Sequence, residues 1–397
     1  MITHSNRSIK KQVFDRISYL GTVSKADLLQ YFSITSSSMT RLLEEMTAQG
    51  IIVVSGLGSS TGGRKPILFQ TNPSYRYLLG LDISRIHSVL GLYDMHLNPL
   101  SLTRWKMDDA MSPERLVDEV ADAVHRFLTE HGISSSDVLG MGIGAVGPLD
   151  QQAGIIVEPE FFPAPSWKNV PICQLLSERL DMTVKLDNGA NTALMGEHWA
   201  LRNERIQHAL YVHAGVNIRS AAMSGGQILR GAVDTEGAIG QMIIQANGPR
   251  LRDNSNYGAL EAFVSVPALE ERIRTQLKIG RKSVLSGISP DHVNFATLVD
   301  ALAQDDPLVK EQFTETAAYL GIGLANLINA LHPEYVILGG PLVGAHPLVL
   351  DTALEVAKKN TYHYPEYSPV FTQSLLLDEA VATGAAVMMM QAWDGEE

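Results

Sequence analysis

Five consecutive residues near the middle of the chain, Asp187-Asn188-Gly189-Ala190-Asn191, place three polar side chains in the spacing of a strand-to-helix turn. Val184 to Leu186 before them read as the end of a buried strand, and Asn191 to Trp199 after them read as a helix. Such a turn lies at the mouth of an α/β cleft, where open sheets of this kind hold their ligands. A carboxylate and two amides there suit hydrogen bonds to a small polar ligand. The centre of the turn, where a catalytic base would sit, is Gly189, which has no side chain.

A second group with chemical character lies near the start of the chain. Ser36, Ser37, Ser38, Thr40 and Arg41 follow one another closely. Short hydroxyl side chains with a cation behind them are what a major-groove helix uses on base edges and phosphates. Further on, Arg64 and Lys65 end a Gly/Ser-rich loop, and one of them is expected to enter a minor groove or rest on phosphate.

These groups need elements to hold them. Ile9, Val13, Ile17 and Leu20 share one face of a helix over 6–20, with Phe14 beside them. Ser24 with Asp27 three residues later forms a capping box for a second helix. Thr35 caps a third, whose apolar face is Met39, Leu42, Leu43 and Met46, and Gly50 ends it. Ile51–Val54 and Ile67–Phe69 read as strands either side of the Gly/Ser loop. Three helices and a wing predict a winged helix-turn-helix over residues 1–72. Up to Asn72 there are eight Lys or Arg against four acids, in a chain of net charge −12. A basic head on an acidic body points to double-stranded DNA as the partner of the head alone.

Composition narrows the rest. The 397 residues suffice for two or three domains, and 45% hydrophobic with 19% charged residues is ordinary globular usage. No apolar run has the length of a membrane span, and the first residues lack the apolar core of a signal peptide, so a cytoplasmic protein without membrane insertion is expected. Cys173 is the one cysteine and is expected to act as a small buried hydrophobe, which excludes a disulfide framework or a thiolate metal cluster. His198, His208, His332 and His363 have no metal spacing.

Beyond Tyr77, strands and helices alternate, and Asp-containing strands at Asp82 and Asp187 hint at two related α/β lobes. Five segments occur in a telling order: Gly142-Ile-Gly-Ala-Val-Gly-Pro-Leu-Asp150, the Asn188-Gly-Ala-Asn191 turn, Gly231 to Gly240, Ile337-Leu-Gly-Gly340 and Thr383-Gly-Ala-Ala386. With these landmarks the body resembles the ROK family of repressors and sugar kinases, and with the head the whole chain resembles its transcriptional repressors. The resemblance implies a two-lobed actin-like ATPase (ribonuclease H-like) fold, with the first lobe over 73–198 plus 380–397. The second lobe, for effector binding and dimerisation, is then 199–379.

Set against that family, the chemistry is depleted. The family's catalytic base is an Asp at the position of Gly189. Its first phosphate loop, Asp-x-Gly-Gly-Thr, reads Asp82-Ile83-Ser84-Arg85-Ile86 here, and its second, Gly-Thr-Gly, reads His213-Ala214-Gly215. Its sugar-binding Gly-Glu-x-Gly-His reads Gly237-Ala238-Ile239-Gly240-Gln241. Its three zinc cysteines are replaced by Arg252, Asn254 and Ala259. Asn188, Gln241 and Glu261 remain as effector-binding positions. The expectation is therefore a DNA-binding regulator with no catalytic residues, cofactor or metal. It represses a carbohydrate-related operon in response to a sugar or polyol effector or a protein partner, and works as a homodimer or dimer of dimers. The alternatives are a sugar kinase with an atypical site, in which Asp187 replaces the base, and a non-catalytic protein-interaction module.

Overall fold

The computed structural model describes residues 8–59, 65–232 and 238–395. The chain packs as two compact units, Met1–Arg205 with Asp378–Glu397, and Ile206–Leu377.

The first unit begins with the head. Helix α1 (Ile9–Leu20) is capped by Ser8, whose hydroxyl accepts the Lys11 N–H. Strand β1 (Val23–Ser24) leads into α2 (Lys25–Leu29), and here the capping box forms as its spacing predicts. Ser24 Oγ accepts from the Asp27 N–H at 3.2 Å, and Asp27 Oδ2 accepts from the Ser24 N–H at 2.8 Å. Helix α3 (Ser36–Ala48) starts at the Thr35 cap. Strands β2 (Ile52–Leu57) and β3 (Ile67–Thr71) complete a sheet of order β1-β3-β2. Of the apolar faces expected for the helices, Val13, Phe14, Ile17, Met39, Leu43 and Met46 are buried, with Leu28 beside them, whereas Leu20 and Leu42 are half-buried and Ile9, in the first turn of α1, is exposed.

The body of this unit follows. Strands β4 (Tyr77–Ile83), β5 (His87–Tyr93) and β6 (Pro99–Lys106) form an antiparallel meander. Helix α4 (Pro113–His131), capped by Ser112, buries Leu116, Val120, Val124 and Phe127 and returns the chain to β7 (Val138–Ala145), parallel to β4. After a short hairpin, β8 (Leu149–Asp150) and β9 (Ile155–Ile156), helix α5 (Ile172–Leu180) leads to β10 (Val184–Asn188), parallel to β7. Helix α6 (Gly189–Ala200) begins at the next residue. The sheet order is β10-β7-β4-β5-β6. Cys173 is half-buried, and burial pushes its thiol up to about 11, which leaves it little thiolate.

The second unit repeats the same plan. Strands β11 (Ala209–Ala214), β12 (Ile218–Ser224) and β13 (Gln227–Ile228) are antiparallel. Helices α7 (Glu261–Val264), α8 (Val266–Lys278), α9 (Phe295–Ala303) and α10 (Pro307–Leu331) then lead to β14 (Tyr335–Gly339). Helices α11 (Pro341–Gly344) and α12 (Pro347–Asn360) precede β15 (Val370–Gln373). Strand β14 joins β11 in parallel and β15 joins β14 in parallel, giving the order β13-β12-β11-β14-β15. Three antiparallel strands followed by two parallel ones thus occur twice, although the two Asp-containing strands that hinted at paired lobes, with Asp82 in β4 and Asp187 in β10, both belong to the first sheet.

The last helix, α13 (Ala380–Ala392), belongs to the first unit. It lies so close to the sheet that a Cβ on Gly80 would sit 1.9 Å from the Ala382 carbonyl oxygen, and one on Gly142 1.9 Å from that of Ala385. The Gly-rich signals at these places are contact surfaces for backbone. The expected lobe boundary at 198/199 falls inside α6, which runs on to Ala200 and is followed by a short 3-10 turn at Arg202–Glu204, so the units divide at 205/206. The return, expected at 380, comes at Asp378. Among the described residues, no helix is long and apolar enough to cross a membrane.

Candidate functional site

Helix α3 presents the predicted DNA-facing residues from its first turns. Ser36, Ser37, Ser38 and Arg41 are exposed, and Ser37, Ser38 and Arg41 share a face at helical spacing. The Thr35 oxygen accepts the Ser38 N–H at 3.1 Å and lies within hydrogen-bond reach of the Ser37 and Ser38 hydroxyls, so the cap also orders these side chains. Thr40 is half-buried and turned onto its own helix: its hydroxyl donates to the Ser36 carbonyl at 2.9 Å, the usual back-bond of a mid-helix threonine. Lys25 Nζ donates to the same hydroxyl at 3.1 Å, bringing a cation from α2 to the edge of α3. Sequence reasoning counted Lys25 only as part of the head's charge. Lys65 is exposed after the wing loop, while Arg64 lies outside the described residues.

The head is seated on the body at several points. Lys11, almost fully buried, pairs with Asp15 and donates to the Met390 carbonyl at 3.0 Å near the end of α13. Phe14 meets Trp393 edge to face with ring centroids 4.7 Å apart, and Tyr75 packs on the same indole at 5.7 Å. Tyr19 stacks on His198 at the far end of α6 at 5.6 Å, and burial holds its phenol above its usual range against the pull of Arg16 and Arg205. His96 Nε2 and the Thr71 carbonyl are 2.8 Å apart, fixing the end of β3. Trp393→Ala is expected to remove roughly 2 kcal/mol, less than a fully buried tryptophan because the ring is half-exposed. Faster proteolytic cleavage between head and body would report it.

The central turn is tighter than its sequence suggested. The strand reaches Asn188 and the helix starts at Gly189, so Asn188 is itself the N-cap, its Oδ1 accepting the Asn191 N–H at 2.8 Å. Asp187, buried, receives three donors on one oxygen: Gln151 Nε2 at 2.8 Å, the Asn188 N–H at 2.7 Å and Asn191 Nδ2 at 3.0 Å. The polar residues of the turn thus bind one another, and that oxygen of Asp187 braces the turn.

Both phosphate-loop positions are remodelled. In the β4–β5 turn stands Arg85, buried, with Nε donating to the Glu160 carbonyl at 2.7 Å. After β11, the Gly215 N–H is turned onto the Asn217 carbonyl at 3.2 Å, and its own carbonyl accepts from Val266 at 2.8 Å. A backbone donor engaged in its own turn is a weak cradle for phosphate.

In the second unit, Gln241 and Glu261 come together. Glu261 Oε1 accepts from Gln241 Nε2 at 2.7 Å, Ser255 Oγ at 2.6 Å and Arg252 Nη2 at 3.0 Å, and Oε2 accepts from the same Arg252 nitrogen at 3.0 Å. Asn256 donates its N–H to Gln241 Oε1 at 2.9 Å and its Nδ2 to the Gln241 carbonyl at 3.0 Å. Asn188, the third expected effector residue, belongs to the first unit. Zinc, which the family resemblance implies at this segment, does not fit these residues: a guanidinium, an amide and a methyl group stand where thiolates are needed. Among the described residues, no cluster of three or more His, Cys, Asp or Glu side chains could hold a metal.

Similarity to known proteins follows the same division into head and body. The xylose repressor of Caldicellulosiruptor bescii is 25% identical over 371 residues, covering 93% of this chain and 92% of its own. The crystal structure of a ROK family transcriptional regulator, a homolog of the E. coli MLC protein, has a TM-score of 0.79 at 18% identity and covers 98% of this chain and 97% of that one. The ROK hexokinase of Thermus thermophilus, with a TM-score of 0.64 and 27% identity, covers 97% of its own chain but 78% of this one. The sequence pattern of the ROK family matches residues 78–392, the whole body, and the chain belongs to the ROK family.

Proposed function

We propose that this protein is a DNA-binding transcriptional regulator that represses genes of carbohydrate use. The observation that carries the reading is the head. It presents an exposed Ser/Arg face on α3 with Lys25 beside it, and is seated through Lys11 and Trp393 on the body. The comparisons support it, since the regulator's likeness extends over 98% of the chain and the hexokinase's over 78%. Two heads on a homodimer, or four on a dimer of dimers, would span two-fold operator half-sites. No phosphoryl transfer belongs to this reading, because Gly189 supplies no base and Arg85 and the folded-back Gly215 amide stand at the phosphate loops.

The effector of this reading is a neutral sugar or polyol, and the repressor relatives make D-xylose the first to test. A thermal-shift screen of pentoses, hexoses, N-acetylhexosamines and polyols, run with and without DNA from upstream of the protein's own gene, tests it. A true effector at a hundredfold excess over its Kd stabilises the protein by about 2.7 kcal/mol, and by less when operator is bound. Retardation of no such DNA at low salt would overturn the regulator reading. Release of ADP with any of these sugars would favour the kinase.

A further inference from the structure

We infer that the Arg252–Glu261 ion pair, joined by Ser255 and Gln241, locks the segment from Gln241 to Glu261 in place of a metal, and that Arg252 is the residue that positions Glu261. The carboxylate is 3% exposed and the guanidinium 23%. A charge that deeply buried is stable only when it is paired and hydrogen-bonded, and here four hydrogen bonds from three side chains meet it. The donors come from separate parts of the segment: Gln241 ends the 3-10 turn at Ala238–Gln241, while Arg252 and Ser255 lie in the loop before α7. Asn256 then ties the loop back to Gln241 through two further bonds. A cross-link between distant parts of one loop is the mechanical task of a structural metal ion. Arg252 occupies a cysteine position of the family's zinc motif, so the same place in the chain supplies the cross-link by charge. The backbone narrows around the pair as well. The Gln245 carbonyl oxygen would lie 1.7 Å from a Cβ on Gly258, whose φ is +69°, so the loop closes on itself at a residue that must be glycine.

The consequence is a loop whose order is independent of metal and dependent on one ion pair. It bears on the effector reading because Glu261 is one of the proposed effector contacts, yet none of its tests requires an effector. A sugar screen that fails leaves the lock standing, and a failed lock leaves the sugar reading standing.

The test uses the full-length protein purified without chelator. Metal analysis after gel filtration is expected to find far less than one zinc per chain, and EDTA is expected to leave the unfolding temperature unchanged. Arg252→Met and Glu261→Gln are each expected to lower the unfolding temperature by about 5–10 °C, since each strands a buried partner. The double variant is expected to recover at least half of the summed loss, because it strands no charge. Arg252→Lys is expected to fall between wild type and Arg252→Met, as an ammonium keeps the charge and loses the planar geometry. Stoichiometric zinc, chelator sensitivity, or strictly additive losses in the double variant would each overturn the proposal. If a single variant does not fold, a folded double variant supports the lock and an unfolded one overturns it.

Discussion

Arg41→Ala is expected to weaken binding to the protein's own upstream DNA roughly ten- to hundredfold, with no loss of folding. The side chain is exposed on α3, so its removal leaves no cavity, and a good arginine contact to a base edge is worth about 1–3 kcal/mol. Lys25→Ala is expected to act differently. It removes a cation at the edge of α3, so a phosphate contact is the expected loss, affinity should fall for all sequences alike, and the slope of log affinity against log salt should drop by about one. Fluorescence anisotropy at several salt concentrations, with matched and scrambled duplexes, separates the two. Wild-type affinity and specificity in Arg41→Ala would show that α3 is not the reading helix.

The second large effect is on stability. A Cβ on Gly384 would lie 1.6 Å from the Thr192 carbonyl oxygen and 2.8 Å from the Gly196 nitrogen, both backbone atoms of α6. No rotamer change relieves that clash, so α13 and α6 must move apart. Gly384→Ala is expected to cost about 3 kcal/mol, at the upper end for overpacking, and to lower the unfolding temperature by about 6–12 °C. Because α6 ends at the Tyr19 stack and α13 leads to the Trp393 seat, weakened DNA binding should accompany it. Gly287→Ala, where an added Cβ meets nothing within 4 Å, is the matched control and should unfold with the wild type. Equal unfolding temperatures for the two variants would contradict the close packing of α13.

What the sequence disclosed was largely local. Capping at Ser24 and Thr35 and the apolar stripes of the head depend on neighbours within one or two turns, and apart from the exposed Ile9 at the start of α1 they stand where their spacing put them. The Gly-rich segments were visible as landmarks, but the carbonyls that require Gly80, Gly142 and Gly384 lie far away in the chain. Asn188 shows the limit most clearly. A side-chain amide at a strand-to-helix turn has the same sequence signature whether it faces a ligand or caps the helix, and here its oxygen caps. The back-bond of Thr40 follows a known local habit of threonine in helices and was within reach of the sequence. The Arg252–Glu261 pair was not, since a missing zinc ligand does not say what replaces it.

The seat of the head also sets an order of events. Lys11 and the Met390 carbonyl that holds it are 379 positions apart, and the strands that receive α13 are made long before α13 itself. During synthesis the three head helices can form as soon as they emerge, since their contacts are local. The first unit, however, lacks the helix that covers Gly80 and Gly142 until the whole second unit has been made, because α13 follows it in the chain. Chains interrupted before that point lack the Lys11 and Phe14 contacts of the seat, so the full set of contacts between head and body is reserved for chains that have been translated through α13.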